Sequence, residues 1–66
     1  MLRNRLKEIR MKEYMMSSKD FAHFIGVDFS SYSNWETNKS RPKLETAFEI
    51  AKKLNKHLED IWYLQE

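Results

Sequence analysis

Cysteine is absent from this 66-residue chain, and its absence removes two classes of site at once. No disulfide can form and no thiolate can bind a metal, while the two histidines have no cysteine partners to complete a zinc set. A chain without cysteine suits a reducing compartment. We therefore expect no metal, no cofactor and a cytoplasmic location.

Long apolar runs, internal repeats and low-complexity tracts are also missing. Charged residues make up 33% of the chain and interrupt the apolar ones throughout, so we predict neither a secretory signal nor a transmembrane span, and no membrane partner. With 66 residues there is room for one small domain, residues 1–66, and none for a deep substrate cavity. This length favours a soluble binding module over an enzyme.

Strand signals are weak, because β-branched residues are few and apolar residues recur at three- and four-residue spacing. The pattern predicts an all-α fold, one unit of five short helices. A serine at 17–18 and Asp28 can each cap a helix by accepting a hydrogen bond from a free amide. The single proline, Pro42, ends any helix before it. The helices are expected at about residues 2–13, 18–25, 29–36, 44–54 and 58–63.

The segment from Ser18 to Thr37 has the spacing of a helix-turn-helix. Ala22 is small where the first helix must let the second approach. Gly26, the only glycine, follows four residues later, where the turn needs a left-handed or close-packed backbone. The side chains expected to be buried here and in the fourth helix are Ala22, Ile25, Val27, Tyr32, Trp35, Phe48, Ala51 and Leu54.

A helix-turn-helix reads DNA with its second helix in the major groove, so residues near that helix's N-terminus and one turn later meet base edges. Asn34 can form two hydrogen bonds with adenine, serines can donate or accept, and Phe29 can press on a thymine methyl. Each has a structural alternative: a peripheral core aromatic, solvated serines at a helix start, and an idle exposed amide. The predicted base-contacting residues are Phe29, Ser30, Ser31 and Asn34.

Lysine and arginine number 12 against 10 acidic residues, and this net charge of +2 is too small to indicate nucleic acid by itself. Placement says more, because residues 38–43, NKSRPK, hold three cations directly after the predicted recognition helix. Such a run is usually a solvated loop, but this position favours phosphate contact. The free amides at the start of the second helix favour it as well. The predicted phosphate-contacting residues are Ser17, Ser18, Thr37, Asn38, Lys39, Arg41 and Lys43.

The two histidines give little support to catalysis. His23 follows Asp20 by three residues and His57 precedes Asp60 by three, but no nucleophile or third orienting group lies near either pair in sequence. We interpret both as surface or capping histidines. No catalytic residue is predicted.

Nearly the whole chain resembles the phage repressor and Cro-like helix-turn-helix family, often called the XRE family. This resemblance implies a compact five-helix lambda-repressor-like DNA-binding domain, with the helix-turn-helix formed by helices 2 and 3. It also implies a transcription regulator, a repressor or Cro-like protein of a bacterium, phage or mobile element, associated with the nucleoid. The stretches that carry the resemblance are Leu6–Arg10, Phe21–Ala22, Ile25–Val27, Trp35–Lys39, Arg41–Ala47, Ile50–Asn55 and Leu58–Ile61.

Three departures from the family pattern bear on function. Ser17–Ser18 replaces the Thr-Gln that commonly begins helix 2, so the glutamine that often braces the DNA contact is missing. Residues 11–16 form a linker one residue longer than usual, with bulky residues in place of a glycine. Thr37–Asn38 replaces a frequent Asn-Gly, and Asn38 can adopt the left-handed conformation of that glycine. Two alternatives therefore stay open: a DNA-binding antitoxin, and a protein–protein interaction module on the same fold.

One helix-turn-helix reads only a few base pairs, so specific binding usually requires two on a pseudo-palindromic operator with half-sites about one helical turn apart. We therefore expect a homodimer on double-stranded DNA, with a further protein partner left open. The apolar C-terminal residues could supply part of the dimer face, and packing against helix 1 of the same chain is the alternative. This C-terminal cluster consists of Ile61, Trp62, Tyr63 and Leu64.

Overall fold

A computed structural model of the protein describes residues 1–66. Five α-helices and one π-helical segment form a body of 31 × 23 × 22 Å, and a two-stranded sheet joins the chain ends. None of the helices is long and apolar enough to cross a bilayer. The elements are β1 (Leu2–Asn4), α1 (Leu6–Ile9), the π-helical segment (Arg10–Tyr14), α2 (Ser18–Ile25), α3 (Phe29–Glu36), α4 (Leu44–Lys53), α5 (Leu58–Ile61) and β2 (Trp62–Leu64).

The sheet corrects the predicted first and last helices. β1 pairs with β2 in antiparallel register, Leu2 opposite Leu64 and Asn4 opposite Trp62. The first helix therefore begins at Leu6, not Leu2, and the last ends before Trp62. Asn4 marks the boundary, because its Oδ1 accepts a hydrogen bond from the Leu6 amide at 3.0 Å. Pairing between the two chain ends overrides the local helical pattern of both segments.

The linker between α1 and α2 contains the π-helical segment. A π turn takes one residue more than an α turn, so this segment accommodates an additional residue between α1 and α2. Met15, directly after the segment, has a φ of 51° and is 84% exposed. Met15 therefore lies outside the core, whereas Tyr14 and Met16 on either side of it pack against the buried cluster.

The predicted helix ends of α2 and α3 are confirmed by their caps. Ser17 Oγ accepts a hydrogen bond from the Asp20 amide at 3.1 Å, and Asp28 Oδ2 accepts one from the Ser31 amide at 2.9 Å. Asn38 follows α3 with a left-handed φ of 65°. Asn55 does the same after α4, with a φ of 57°. Short polar side chains thus begin and end the central helices.

The core draws on every helix. Of the eight side chains expected to be buried, five are, while Val27 and Trp35 pack half-buried against the core. The core residues are Leu6, Ile9, Phe21, Ala22, Ile25, Tyr32, Ala47, Ile50, Ala51, Leu54, Ile61 and Trp62.

Phe48 is the exception, because its side chain is 55% exposed and the prediction of burial is wrong. The apolar stripe of α4 is wider than the face that the core covers. Ala47, Ile50, Ala51 and Leu54 take the buried positions of α4 and its C-terminal end. Phe48 lies about 100° around the helix from Ala47 and so turns toward solvent.

The C-terminal cluster largely packs within its own chain. Ile61 and Trp62 are buried. Tyr63 is half-buried, with the guanidinium carbon of Arg5 4.1 Å from the centre of its ring. Only Leu64 is largely exposed, at 75%. The intramolecular alternative therefore accounts for most of this cluster.

Candidate nucleic-acid interface

The turn between α2 and α3 is closed by two backbone hydrogen bonds. The amide of Gly26 donates to the carbonyl of His23 at 3.1 Å, and the amide of Val27 donates to the carbonyl of Ala22 at 3.0 Å. Gly26 has a φ of 81°, the left-handed conformation that ends many helices. Ala22 is fully buried beneath this turn. The pair of helices therefore has one fixed crossing, which sets the direction of α3.

The outer face of α3 carries the predicted base-contacting residues. Phe29, Ser30 and Asn34 are exposed and Ser31 is half-buried, whereas Tyr32, on the side away from Ser30 and Asn34, is fully buried. The structure thus brings the four predicted side chains to the first two turns of one helix. Phe29 is 49% exposed, so part of its ring contacts the protein and part is free.

Asn34 combines a fixed backbone with a free side chain. Its carbonyl accepts hydrogen bonds from the amides of Lys39 and Ser40, at 2.8 and 3.3 Å. Its side-chain amide has no partner within the chain, although it can both donate and accept. An exposed, unpaired amide on a rigid helix can form two hydrogen bonds with a base edge.

The predicted phosphate-contacting residues divide into two groups. Lys39, Arg41 and Lys43 are exposed, and none of them forms an ion pair. Arg41 and Lys43 also line a crevice that reaches Ser31 at the start of α3. Three cations without an acidic partner therefore lie after the end of α3, as a phosphate-binding surface requires.

Three of the four hydroxyl and amide members of that set already have hydrogen bonds within the protein. Ser17 Oγ caps α2, and Thr37 Oγ1 donates to the carbonyl of Ser33 at 2.8 Å. Asn38 Nδ2 donates to the carbonyl of Leu2 at 3.1 Å, which ties the end of α3 to β1. Ser18 is half-buried in the first turn of α2. Any phosphate contact by the first three of these side chains has to share these bonds.

A network that sequence reasoning missed holds the C-terminal end of α3. Arg10 Nε and Nη2 donate to the two carboxylate oxygens of Glu36 at 3.0 and 3.3 Å, and Arg10 Nη1 donates to the Met16 carbonyl at 2.9 Å. The Tyr32 hydroxyl also donates to Glu36. Arg10 and Glu36 are separated by 26 residues. Nothing in a single sequence marks two such distant charges as partners.

The network favours the ionised forms of Arg10 and Glu36 and the neutral form of Tyr32. The hydrogen bond with Glu36 raises the pKa of Arg10. Burial would raise the pKa of the Glu36 carboxyl, but the hydrogen bonds from Arg10 and Tyr32 outweigh it and hold that pKa below its ordinary value. Burial, helped by Glu36, raises the pKa of the Tyr32 phenol. At neutral pH the pair is therefore ionised and the phenol is neutral.

Asp28 places one negative charge beside the predicted base-reading surface. The backbone hydrogen bond from Ser31 holds the pKa of its carboxyl below the ordinary value, so Asp28 is ionised at neutral pH. That charge favours the positive N-terminal end of α3. The same charge would repel DNA phosphates, so attraction by the neighbouring cations has to exceed this repulsion.

The histidines lie where the sequence predicted, at the surface. His23 is exposed on α2, and His57 is exposed at the start of α5, where its backbone amide donates to Asp60 Oδ2 at 2.9 Å. No group of three or more His, Cys, Asp or Glu side chains converges anywhere in the structure.

Comparison with known proteins is consistent with this geometry. The model of a family described as helix-turn-helix matches residues 6–61, which spans α1 to α5 and leaves β1 and β2 outside. A relative from Archaeoglobus fulgidus, described as an uncharacterized HTH-type transcriptional regulator, is 34% identical over 65 residues. That similarity covers 98% of this chain and 90% of the relative.

Proposed function

The chain belongs to the XRE-type helix-turn-helix family of DNA-binding transcription regulators, and from this premise we propose that it is a repressor or Cro-like protein that reads the major groove with α3. The observation that carries the proposal is the exposed, unpaired amide of Asn34 on a helix whose opposite side, at Tyr32, is fully buried. A helix fixed in this way presents one face to DNA. The serine and asparagine side chains of that face are short enough to approach base edges closely.

Base reading is assigned to the outer face of α3. Asn34 pairs with adenine, Ser30 and Ser31 donate to or accept from neighbouring bases, and Phe29 contacts a thymine methyl with its exposed part. Since Asn34 follows Ser30 by four residues, the two lie one above the other on the helix. Together they contact adjacent base pairs of one half-site.

Phosphate binding is assigned to the cations around α3. Lys39, Arg41 and Lys43 have no acidic partner in the chain and can neutralise phosphates without breaking an ion pair. Arg41 offers a planar set of donors and the lysines offer point charges. The serines at 17–18, with Thr37 and Asn38, complete the proposed phosphate contacts at the margins of this surface. These contacts supply affinity and orientation, but not sequence preference.

The operator is a pseudo-palindrome bound by two copies. The longest dimension of the domain, 31 Å, is close to one turn of duplex, about 34 Å. One copy therefore covers about one half-site, and a second copy on the neighbouring half-site doubles the sequence that is read.

Selection of bound sites from a random duplex pool tests this proposal. We expect an enriched palindrome with half-sites about one helical turn apart. A Ser30→Ala variant should relax the consensus at one position of each half-site, whereas Gln65→Ala, a change in the exposed C-terminal strand region, should leave it unchanged. An unstructured pool after several rounds would contradict base reading by α3. The remaining candidates would then be the antitoxin and the protein-interaction module, for which the partly exposed Phe29 is the anchor on α3.

A further inference from the structure

The surface around Phe48 on α4 has no partner within the chain. Phe48 is 55% exposed, and Leu44, one turn before it, is 67% exposed. Glu45 and Lys52 lie on the same side, three residues before and four residues after Phe48. We name these four residues the Phe48 face. A half-exposed phenylalanine beside an exposed leucine is an apolar surface that water covers in the monomer.

Apolar side chains extend the Phe48 face toward the sheet. Leu58 lines a crevice with Phe48 and a neighbouring groove with Leu44. The same groove is lined by Leu2 and Trp62 of the two strands. Leu58 therefore borders both the Phe48 side of α4 and the groove that leads to the two strands.

The Phe48 face carries one acidic and one basic residue, so two copies of it can present opposite charges to each other. Neither Glu45 nor Lys52 forms an ion pair within the chain. If a second α4 packs antiparallel with the two-fold axis near Phe48, Glu45 of each copy lies opposite Lys52 of the other. Both residues are then displaced from the axis by similar lengths of helix, about 5 Å. A two-fold contact requires a surface of this kind, because the same patch is used twice.

We propose that the Phe48 face is the homodimer surface of the protein, in which the two phenylalanines pack together at the two-fold axis between reciprocal Glu45–Lys52 pairs. The occupant is a second copy of this chain. The inference rests on the proposed function, which requires two copies on DNA, and adds the surface that joins them. The C-terminal cluster is not that surface, because Ile61 and Trp62 are already buried in their own core.

Charge reversal and rescue test this surface. Glu45→Lys and Lys52→Glu each place like charges across the axis, so each should raise the dimer dissociation constant about tenfold or more in sedimentation equilibrium. The double variant E45K/K52E restores opposite charges with their positions exchanged, and its constant should return to within about threefold of the wild type. Phe48→Ser should weaken the dimer at least as much as either reversal, because it removes the central apolar contact.

Two matched reversals control for net charge. Glu8→Lys on α1 and Lys12→Glu in the π-helical segment change exposed residues outside the Phe48 face, and both should leave the constant unchanged. Circular dichroism of every variant checks that the helices are intact. Rescue by the double variant cannot be produced by unfolding, so rescue would support the proposed surface.

Failure of this inference is distinguishable from failure of the proposed function. A dimer that tolerates both single reversals and Phe48→Ser would overturn the surface while leaving two-copy DNA binding intact. A protein that is monomeric in solution and on its selected site would also overturn it. Rescue of a dimer that selects no DNA sequence would support the surface and contradict base reading.

Discussion

The guanidinium of Arg10 donates two hydrogen bonds, of 3.0 and 3.3 Å, to the carboxylate of Glu36, although 26 residues separate the two. Arg10 is the first residue of the π-helical segment and Glu36 the last of α3. The pair therefore fixes the C-terminal end of α3 to the N-terminal part of the chain. The buried Tyr32, which belongs to the same helix as Glu36, donates to the same carboxylate.

Removal of Arg10 should destabilise the protein more than removal of any other cation. Arg10→Met leaves the Glu36 side chain, only 13% exposed, without its cation. We expect a loss of about 2 to 3 kcal/mol in the free energy of unfolding, measured with urea, somewhat below the cost for a fully buried pair. Lys56→Met is the matched control, since it breaks the more exposed pair with Glu13 and should cost less than about 1 kcal/mol. Equal losses would contradict the special role of Arg10.

The pH dependence of stability should show the lowered pKa of Glu36. A carboxyl whose pKa is lower in the folded state stabilises the protein fully above its unfolded value, 4.5, and this contribution is lost as the pH falls through the folded value. The free-energy difference between the wild type and Glu36→Gln should therefore be constant near neutral pH and shrink below about 4.5. The pKa of Asp28 is also lowered, so its contribution to stability is likewise lost in acid. Asp28 is present in both proteins, so this contribution cancels in the difference. A difference that grew in acid would contradict the assignment.

A bulky side chain at Ala22 should force α2 and α3 apart. Ala22 is 1% exposed, directly beneath the turn, and its carbonyl accepts the Val27 amide at 3.0 Å. Ala22→Leu should cost about 1 to 3 kcal/mol from overpacking, seen as a lower midpoint in thermal unfolding. His23→Leu introduces the same side chain at the exposed neighbouring position and should be nearly neutral. Unchanged stability of Ala22→Leu would contradict the tight crossing.

Loss of a phosphate-binding cation should weaken binding to all DNA alike. Lys39→Ala or Arg41→Ala should reduce affinity for the selected site and for random duplex by a similar factor. Each should also flatten the slope of log affinity against log salt by about 0.9, one released counterion per lost contact. Fluorescence anisotropy over a salt series measures both quantities, with Lys12→Ala as the control outside the predicted contacts. A reordered preference among sites would move that residue into the base-reading set.

The parts of the fold that could be predicted are those determined by neighbours in sequence. The sequence predicts α3 at residues 29–36, and the helix is observed at Phe29–Glu36, because Asp28 caps its start and Asn38 turns left-handed after its end. The position of Gly26 in the turn is likewise determined by its neighbours in sequence. The outer face of α3 follows from the same helix, since Tyr32 points inward and Asn34 outward.

The parts that could not be predicted depend on distant partners. Leu2 and Leu64 pair in the sheet although they lie near opposite ends of the chain, and neither segment alone has a strand pattern. Arg10 and Glu36 are charges whose pairing needs the complete fold. Phe48 fits the apolar stripe of α4, and only the packing of its neighbours shows that the core ends before reaching it. Each case requires knowledge of which segments meet, which helical periodicity does not contain.

The sharpest prediction concerns Asn34, whose side chain is exposed and unpaired while its carbonyl is held by the amides of Lys39 and Ser40. Asn34→Ala keeps those backbone bonds and removes only the amide. It should cost about 1 to 3 kcal/mol on the best selected site and much less on random duplex, because only a base-edge contact carries sequence information. Anisotropy titrations on both duplexes measure the difference, with Gln65→Ala as the matched loss of an exposed amide. If Asn34→Ala and Ser30→Ala both leave affinity and consensus unchanged, α3 does not read bases, and the protein-interaction module becomes the better account of this face.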